Sequence, residues 1–249
     1  MTELVIERTG GVSILRIERA ARRNALGDAL VAELRRALQA NDEDASVGAT
    51  VITGVAPGFC AGSDLKELGA MSLDEMVEHE ARTAHFCRSI ATLRKPVLAA
   101  VEGFALGGGF VFAASCDVVV TSRSARWHLP EVQIGWIPPW GLETLTNRVG
   151  LARARQLVWG AQPFMGEEAV RLGVADHVAD DGEALTRALA IGADLARLPG
   201  EAVSSTKLYF ATKAARDGEG GDRLASHLFR EDCRNAVAQA TLKKFGVRV

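Results

Sequence analysis

The chain is short of cysteine, tyrosine and unbalanced charge, and each shortage removes a class of function. Its 249 residues include four cysteines, Cys60, Cys87, Cys116 and Cys233. They form no CxxC pair or Cys/His cluster, and at this length they do not make a disulfide framework. The five histidines, His79, His85, His128, His177 and His227, show no ligand spacing either, so no metal centre is expected. The formal net charge is -2, and no block of Lys or Arg marks a nucleic-acid groove. The opening Met1 to Arg8 lacks the basic and apolar regions of a signal peptide, so a cytoplasmic location is the expectation. The apolar stretch 97–115 is interrupted by Glu102 and four glycines, which argues against a membrane span. What is plentiful is apolar surface. At 48% hydrophobic residues, the chain can bury one sizeable domain with a smaller appendage.

Periodicity predicts the elements. Leu4–Arg8 and Val12–Ile17 alternate around Gly10-Gly11 and read as a hairpin. Asp28–Ala40 places Leu30, Leu34 and Leu38 at four-residue spacing, with Asp28 positioned to cap a helix. Thr50–Val55 reads as a strand. Ser72–Leu93 reads as a long helix opened by a Ser72/Glu75 capping box. Val97–Val101 and Asp117–Thr121 read as strands with a helix from Phe110 between them. Alternating strands and helices predict an α/β fold whose sheet has helical crossovers. A doubly wound sheet is qualified by the antiparallel opening and by the lack of GxGxxG after the first strand. After Gly150 the pattern is mostly helical, ending in a helix over Arg223–Phe245. Gly218, Gly220 and Gly221 read as a flexible connection before it. Leu224, Leu228, Ala236 and Val237 read by spacing alone as part of an internal core.

Three segments carry chemistry. Residues 103–117 read GFALGGGFVFAASCD, with three glycines where a strand hands over to a helix. Amides at such a turn point along the helix axis and suit a developing oxyanion. Taken alone, the glycines fit a tight strand–helix turn equally well. Residues 59–68 read FCAGSDLKEL after the turn signal Pro57-Gly58. Residues 129–141 read LPEVQIGWIPPWG.

In this order and spacing, F-x-A-G-x-D-[LI], G-x-A-x-G-G-G and P-E-x-x-x-G-x-x-P resemble the crotonase, or enoyl-CoA hydratase/isomerase, superfamily. Arg23-Asn24-Ala25-Leu26 and Leu151-Ala152-Arg153-Ala154 look like the same family, and the resemblance runs from about Val5 to Phe245. It implies the crotonase-like spiral of ββα units, with an acyl-CoA-binding core over 1–195 and a C-terminal helical oligomerisation region over 196–249. It also implies a homotrimer, or a hexamer made as a dimer of trimers, for which the apolar positions of the last helix would serve. The implied partner is an acyl-CoA thioester. Coenzyme A belongs to that substrate, so no separate cofactor is expected.

The resemblance implies an oxyanion hole made by the amides of Ser63 and Gly108. A single preorganised donor of this kind is worth about 3 kcal/mol to an enolate. Ser63 stands where alanine is frequent. Glu131 matches the acid of the P-E motif, whereas read without the resemblance it is a surface acid beside a proline. Hydratases of the family hold water between two carboxylates, and the second position is Val111 here. One carboxylate still moves a proton along a conjugated system, so enoyl-CoA double-bond isomerisation is the preferred expectation. Glu131-Val132-Gln133-Ile134-Gly135 followed by Pro139-Trp140 is similar to the corresponding stretch of mitochondrial-type isomerases. Phe110, Val111, Trp136 and Trp140 are expected to wall the site and push the Glu131 carboxyl up. Ala61, Asp64 and Ala25 fall within the matching motifs as substrate-contact positions. Lys66 and Arg22 or Arg23 match positions that contact the nucleotide, and Lys243-Lys244 resembles a basic pair that reaches a neighbouring subunit's ligand. Each of these cations alone reads as a solvated surface charge. Hydration, lyase, decarboxylase and hydrolase chemistry share the same oxyanion hole, and a non-catalytic acyl-CoA binder stays open. The lyases also use a tyrosine, and the sole Tyr209 falls in a helical pattern. His85, Cys87 and His128 receive no role.

Overall fold

The computed structural model describes residues 3–160, 162–214 and 218–247. Leu4–Thr9 (β1) and Val12–Ile17 (β2) form the expected antiparallel hairpin, and Asp28–Glu43 (α1) crosses to Ala49–Gly54 (β3). Leu65–Leu68 (α2) and Leu73–Ser89 (α3) precede Val97–Val101 (β4). Phe104–Leu106 (β5), Gly108–Ala114 (α4), Val118–Ser122 (β6) and Arg126–His128 (β7) follow. Leu142–Val149 (α5), Leu151–Trp159 (α6), Gly166–Leu172 (α7) and His177–Ala179 (β8) lead to the C-terminal helices. These are Ala184–Ala196 (α8), Gly200–Ala214 (α9), Gly218–Asp232 (α10) and Ala236–Phe245 (α11).

The main sheet has the order β1-β2-β3-β4-β6-β8 and is parallel from β2 onward, so only the hairpin is antiparallel. Both faces are covered, so β4 reads as a continuous apolar run and β3 is buried along its length apart from its half-buried last residue, Gly54. Val97, Ala99 and Val101 face the larger core with α1 and α3, while Leu98 and Ala100 face α8. A third cluster, with Met76, Trp136, Phe229 and Leu242, lies beneath α10 and α11.

Four local expectations change. Asp28 does not cap α1: Gly27 does, and the Asp28 carboxylate instead accepts from Arg82 and meets His79 on α3. The capping box at Ser72 and Glu75 is present. The predicted single helix over Arg223–Phe245 is two, because the Asn235 side chain accepts from the Ala238 amide and starts a new helix. Gly218, Gly220 and Gly221 lie inside the first turns of α10 rather than in a connection. Leu224, Leu228 and Val237 are exposed, not part of an internal core. Strands β5, β7 and β8, each three residues long, carry too short a pattern to be read from sequence.

The loop between β2 and α1 depends on one buried side chain. Asn24 sits at φ 57°, a region asparagine tolerates better than most residues. Its Nδ2 donates to the carbonyls of Val55 (2.7 Å) and Gly58 (2.6 Å), and its Oδ1 accepts from the Arg19 amide at 2.9 Å. Asn24→Ala is expected to cost about 3 kcal/mol, since it strands three buried backbone groups. Urea denaturation of parent and variant measures the difference.

Candidate active site

The three glycines of the central motif do not act alike. Gly107 is the N-cap of α4 at φ 54°, and its amide donates to the carbonyl of His128. A Cβ there would stand 2.9 Å from Glu131 Oε1; one on Gly108 would meet the Trp140 ring at 3.0 Å. One on Gly109 would lie 2.2 Å from the Cys60 carbonyl. The bare backbone thus lets three separate segments converge on the first turn of α4. Gly108 is the first residue of that helix, so its N–H has no intrahelical acceptor. Gly62 packs against this amide. Ser63, the next residue, is held by the pairing of 62–64 with Leu26. Among the described residues, neither the Ser63 nor the Gly108 amide donates to a backbone carbonyl outside regular elements.

The segment bearing Ser63 is fixed from below by ions. Asp64 is buried, and its Oδ1 accepts from the amides of Lys66 (2.9 Å) and Glu67 (3.3 Å) to cap α2. Its Oδ2 meets Arg19 at 3.0 Å, and Arg19 also holds Glu67 and the Ala25 carbonyl. Asp64 therefore organises the loop and does not line the cavity. Ala25 is buried beside it. Arg23 and Lys66 are exposed, and Arg23 stacks over Phe104 at 4.6 Å.

Above the turn is a cavity of about 280 Å³. Ala61, Ser63, Gly108, Val111, Glu131, Trp136 and Trp140 all line it, which brings seven of the sequence-derived positions to one place. Phe110 does not: it points into the core, edge-on to Trp127 and Phe164. Tyr209 is exposed on α9, His85 is exposed, Cys87 is buried in the main core, and none lines the cavity. His128 contributes its carbonyl to Gly107 rather than its ring to the cavity.

Sequence reasoning missed two parts of the wall. The first is Glu80, 5% exposed on α3. Its Oε1 accepts from the Ser63 hydroxyl and its Oε2 from Trp140 Nε1, both at 2.7 Å. The second is the C-terminus of the chain: Phe229, Leu242, Phe245 and Val247 close the far side. The loop that carries Trp136 and Trp140 is clamped to α10 and α11. Asp222 accepts from the Gly141 amide, Asp232 from the Ile137 amide, and Asn235 donates to the Gly135 carbonyl.

Glu131 is the group whose chemistry is most altered. It is 8% exposed, and among the described residues its Oε2 has no hydrogen-bond partner. Burial pushes its carboxyl up to about 7; a bond from its own amide opposes this, and the nearby Glu80 charge adds to it. A carboxyl of that kind can both take and return a proton near neutrality.

A family model described as enoyl-CoA hydratase/isomerase matches residues 7–246. The chain belongs to this family. The 2,3-dehydroadipyl-CoA hydratase of Escherichia coli is 35% identical over 198 residues, which cover 79% of this chain and 77% of that protein. A short-chain-enoyl-CoA hydratase of Clostridium acetobutylicum is 34% identical over 190 residues, covering 76% and 73%. The crystal structure of an enoyl-CoA hydratase/isomerase from Mycobacterium paratuberculosis superposes with a TM-score of 0.86 at 29% identity, covering 98% of each chain. This member of the enoyl-CoA hydratase/isomerase family thus has the crotonase fold and is an acyl-CoA enzyme.

The burial of Glu131 has a thermodynamic consequence. Between pH 4.5 and about 7 the folded protein keeps a proton that the unfolded chain has released. Stability is therefore highest below 4.5 with respect to this group and falls as pH rises to 7. At pH 8, Glu131→Gln is expected to be more stable than the parent, by at most about 3 kcal/mol. The advantage should vanish near pH 4. Urea denaturation at both pH values tests this, and equal stability at pH 8 would refute it.

Proposed function

We propose that the protein shifts the double bond of an enoyl-CoA thioester, with Glu131 as the single proton carrier. The observation that carries this reading is the pairing of a buried, neutral-range carboxyl at Glu131 with an apolar side chain at Val111 in the same cavity. Ionised Glu131 removes a proton from C2 of a 3-enoyl thioester. The electron pair moves onto the thioester oxygen, where the amides of Ser63 and Gly108 stabilise the enolate. Glu131 then returns the proton at C4, and the product is the conjugated 2-enoyl thioester. No water is consumed, which fits walls made of Val111, Trp136 and Trp140. The half-buried Arg22 or the exposed Arg23, with the exposed Lys66, Lys243 and Lys244, are proposed to meet the nucleotide phosphates. The exposed Leu224, Leu228 and Val237 support assembly as a trimer or hexamer.

Hydration is the second reading, and Glu80 is the observation in its favour, as a further carboxylate in the cavity. Both Glu80 oxygens already accept a hydrogen bond, which weighs against its holding a catalytic water. The lyase reading loses its tyrosine, because Tyr209 lies outside the cavity.

The test is ultraviolet absorbance. With a 3-enoyl-CoA, absorbance of the conjugated thioester should grow, and Glu131→Gln should lower the rate about 1,000-fold. The rate should rise with pH through about 7, as Glu131 ionises. Loss of absorbance from a 2-enoyl-CoA, with none gained from the 3-enoyl isomer, would favour hydration.

A further inference from the structure

Among the described residues, the wall of the cavity carries two acids and no cationic side chain. Glu80 and Glu131 are both buried in its wall, and no Lys, Arg or His is among the described residues that line it. Trp140 Nε1–H can only donate, and it donates to Glu80 Oε2; the Ser63 hydroxyl donates to Oε1. These two donors hold the Glu80 side chain in one place in the wall. The Glu80 charge is already felt at Glu131. The surface beyond is carbon: Leu65, Leu68, Met76, Phe229, Leu242 and Phe245. A second anion brought here would lose its hydration, face a like charge across a poorly screening space and find no cation to pair with. An alkyl chain would meet none of these costs.

We infer that Glu80 is a specificity-determining residue, which restricts the cavity to uncharged acyl groups and excludes acyl chains that end in a carboxylate. The inference rests on the reading above that the cavity holds the acyl part of a CoA thioester, though not on which reaction follows. Discrimination here comes from repulsion and an unpaired charge rather than from extra contacts to the favoured ligand. The hydrogen bonds to Trp140 and Ser63 fix where the charge sits, so that it cannot swing aside to admit an anion.

Binding of saturated thioesters separates this inference from turnover. The full chain would be titrated calorimetrically near pH 7.5 with hexanoyl-CoA, 6-hydroxyhexanoyl-CoA and adipoyl-CoA. Hexanoyl-CoA should bind about 100-fold more tightly than adipoyl-CoA, with the hydroxy compound between them. In Glu80→Gln the gap between hexanoyl and adipoyl should shrink about tenfold, and Glu80→Asp should keep it. Adipoyl-CoA binding within about threefold of hexanoyl-CoA in the parent would overturn the inference, whatever the variants do. So would equal weakening by the hydroxyl and the carboxylate, since polarity rather than charge would then decide. An unchanged gap in a Glu80→Gln protein that still binds hexanoyl-CoA would remove Glu80 as the cause. If that variant does not fold, the three ligands on the parent decide between charge and polarity. Failure of the parent to bind hexanoyl-CoA at all would overturn the acyl-pocket reading itself. Normal binding without isomerisation would overturn only the reaction.

Discussion

The close approach of three segments to one helical turn is the constraint on which the site depends. Glu131, Trp140 and the Cys60 carbonyl each occupy space that a side chain at 107, 108 or 109 would need. A carboxylate, an indole and a peptide group can therefore share one turn of α4 without a layer of side chains between them. The same bareness leaves Gly108 lining the cavity, with no intrahelical acceptor for its amide. Glycine lowers the intrinsic stability of a helix by about 1 kcal/mol per residue, and α4 offsets this by packing its phenylalanines into the main core.

The polar groups around that turn divide into two sets with different surroundings. Arg19, Asp64 and Glu67 form an ion-paired cluster under the 62–67 loop, whose work is to hold an amide in place. Glu80 and Glu131 stand on the cavity side, one fully engaged by donors and the other left with an oxygen unpartnered among the described residues. Removing solvent from both acids is unfavourable, and the fold tolerates it because the hydrophobic cores beneath are extensive. Reactivity is thereby concentrated on the one acid with the least support.

Much of this was legible in the sequence, for physical reasons. The hairpin, the long helices and the parallel strands follow from periodicity and caps that act within a few residues. The motif positions converge because glycine, proline and the Asp64 cap impose local geometry at fixed spacing. Glu80 was not legible. It lies in a polar run, Glu78-His79-Glu80, in which nothing local marks the member that turns inward. Its inward position shows only in the bonds it accepts from Ser63 and Trp140, residues distant in the chain. The break at Asn235 is masked in the sequence, because Leu224, Leu228, Ala236 and Val237 keep a helical spacing across it. Asp28 failed as a cap because Gly27 takes the extended conformation that a cap requires, which moves the aspartate into the first turn.

The last helices are also the last part of the site to exist. The strands of the sheet and the approach of Glu131 to Gly107 lie in residues that are synthesised before 222–247. Until then the indoles of Trp136 and Trp140 have no opposing wall, and the amides of Ile137 and Gly141 have no carboxylate to receive them. Phe229, Leu242, Phe245 and Val247 close one side of the cavity that holds Glu131, so these helices contribute to the burial that raises its carboxyl. The dryness of the cavity is in this sense supplied by α10 and α11, far along the chain from the acid they shield.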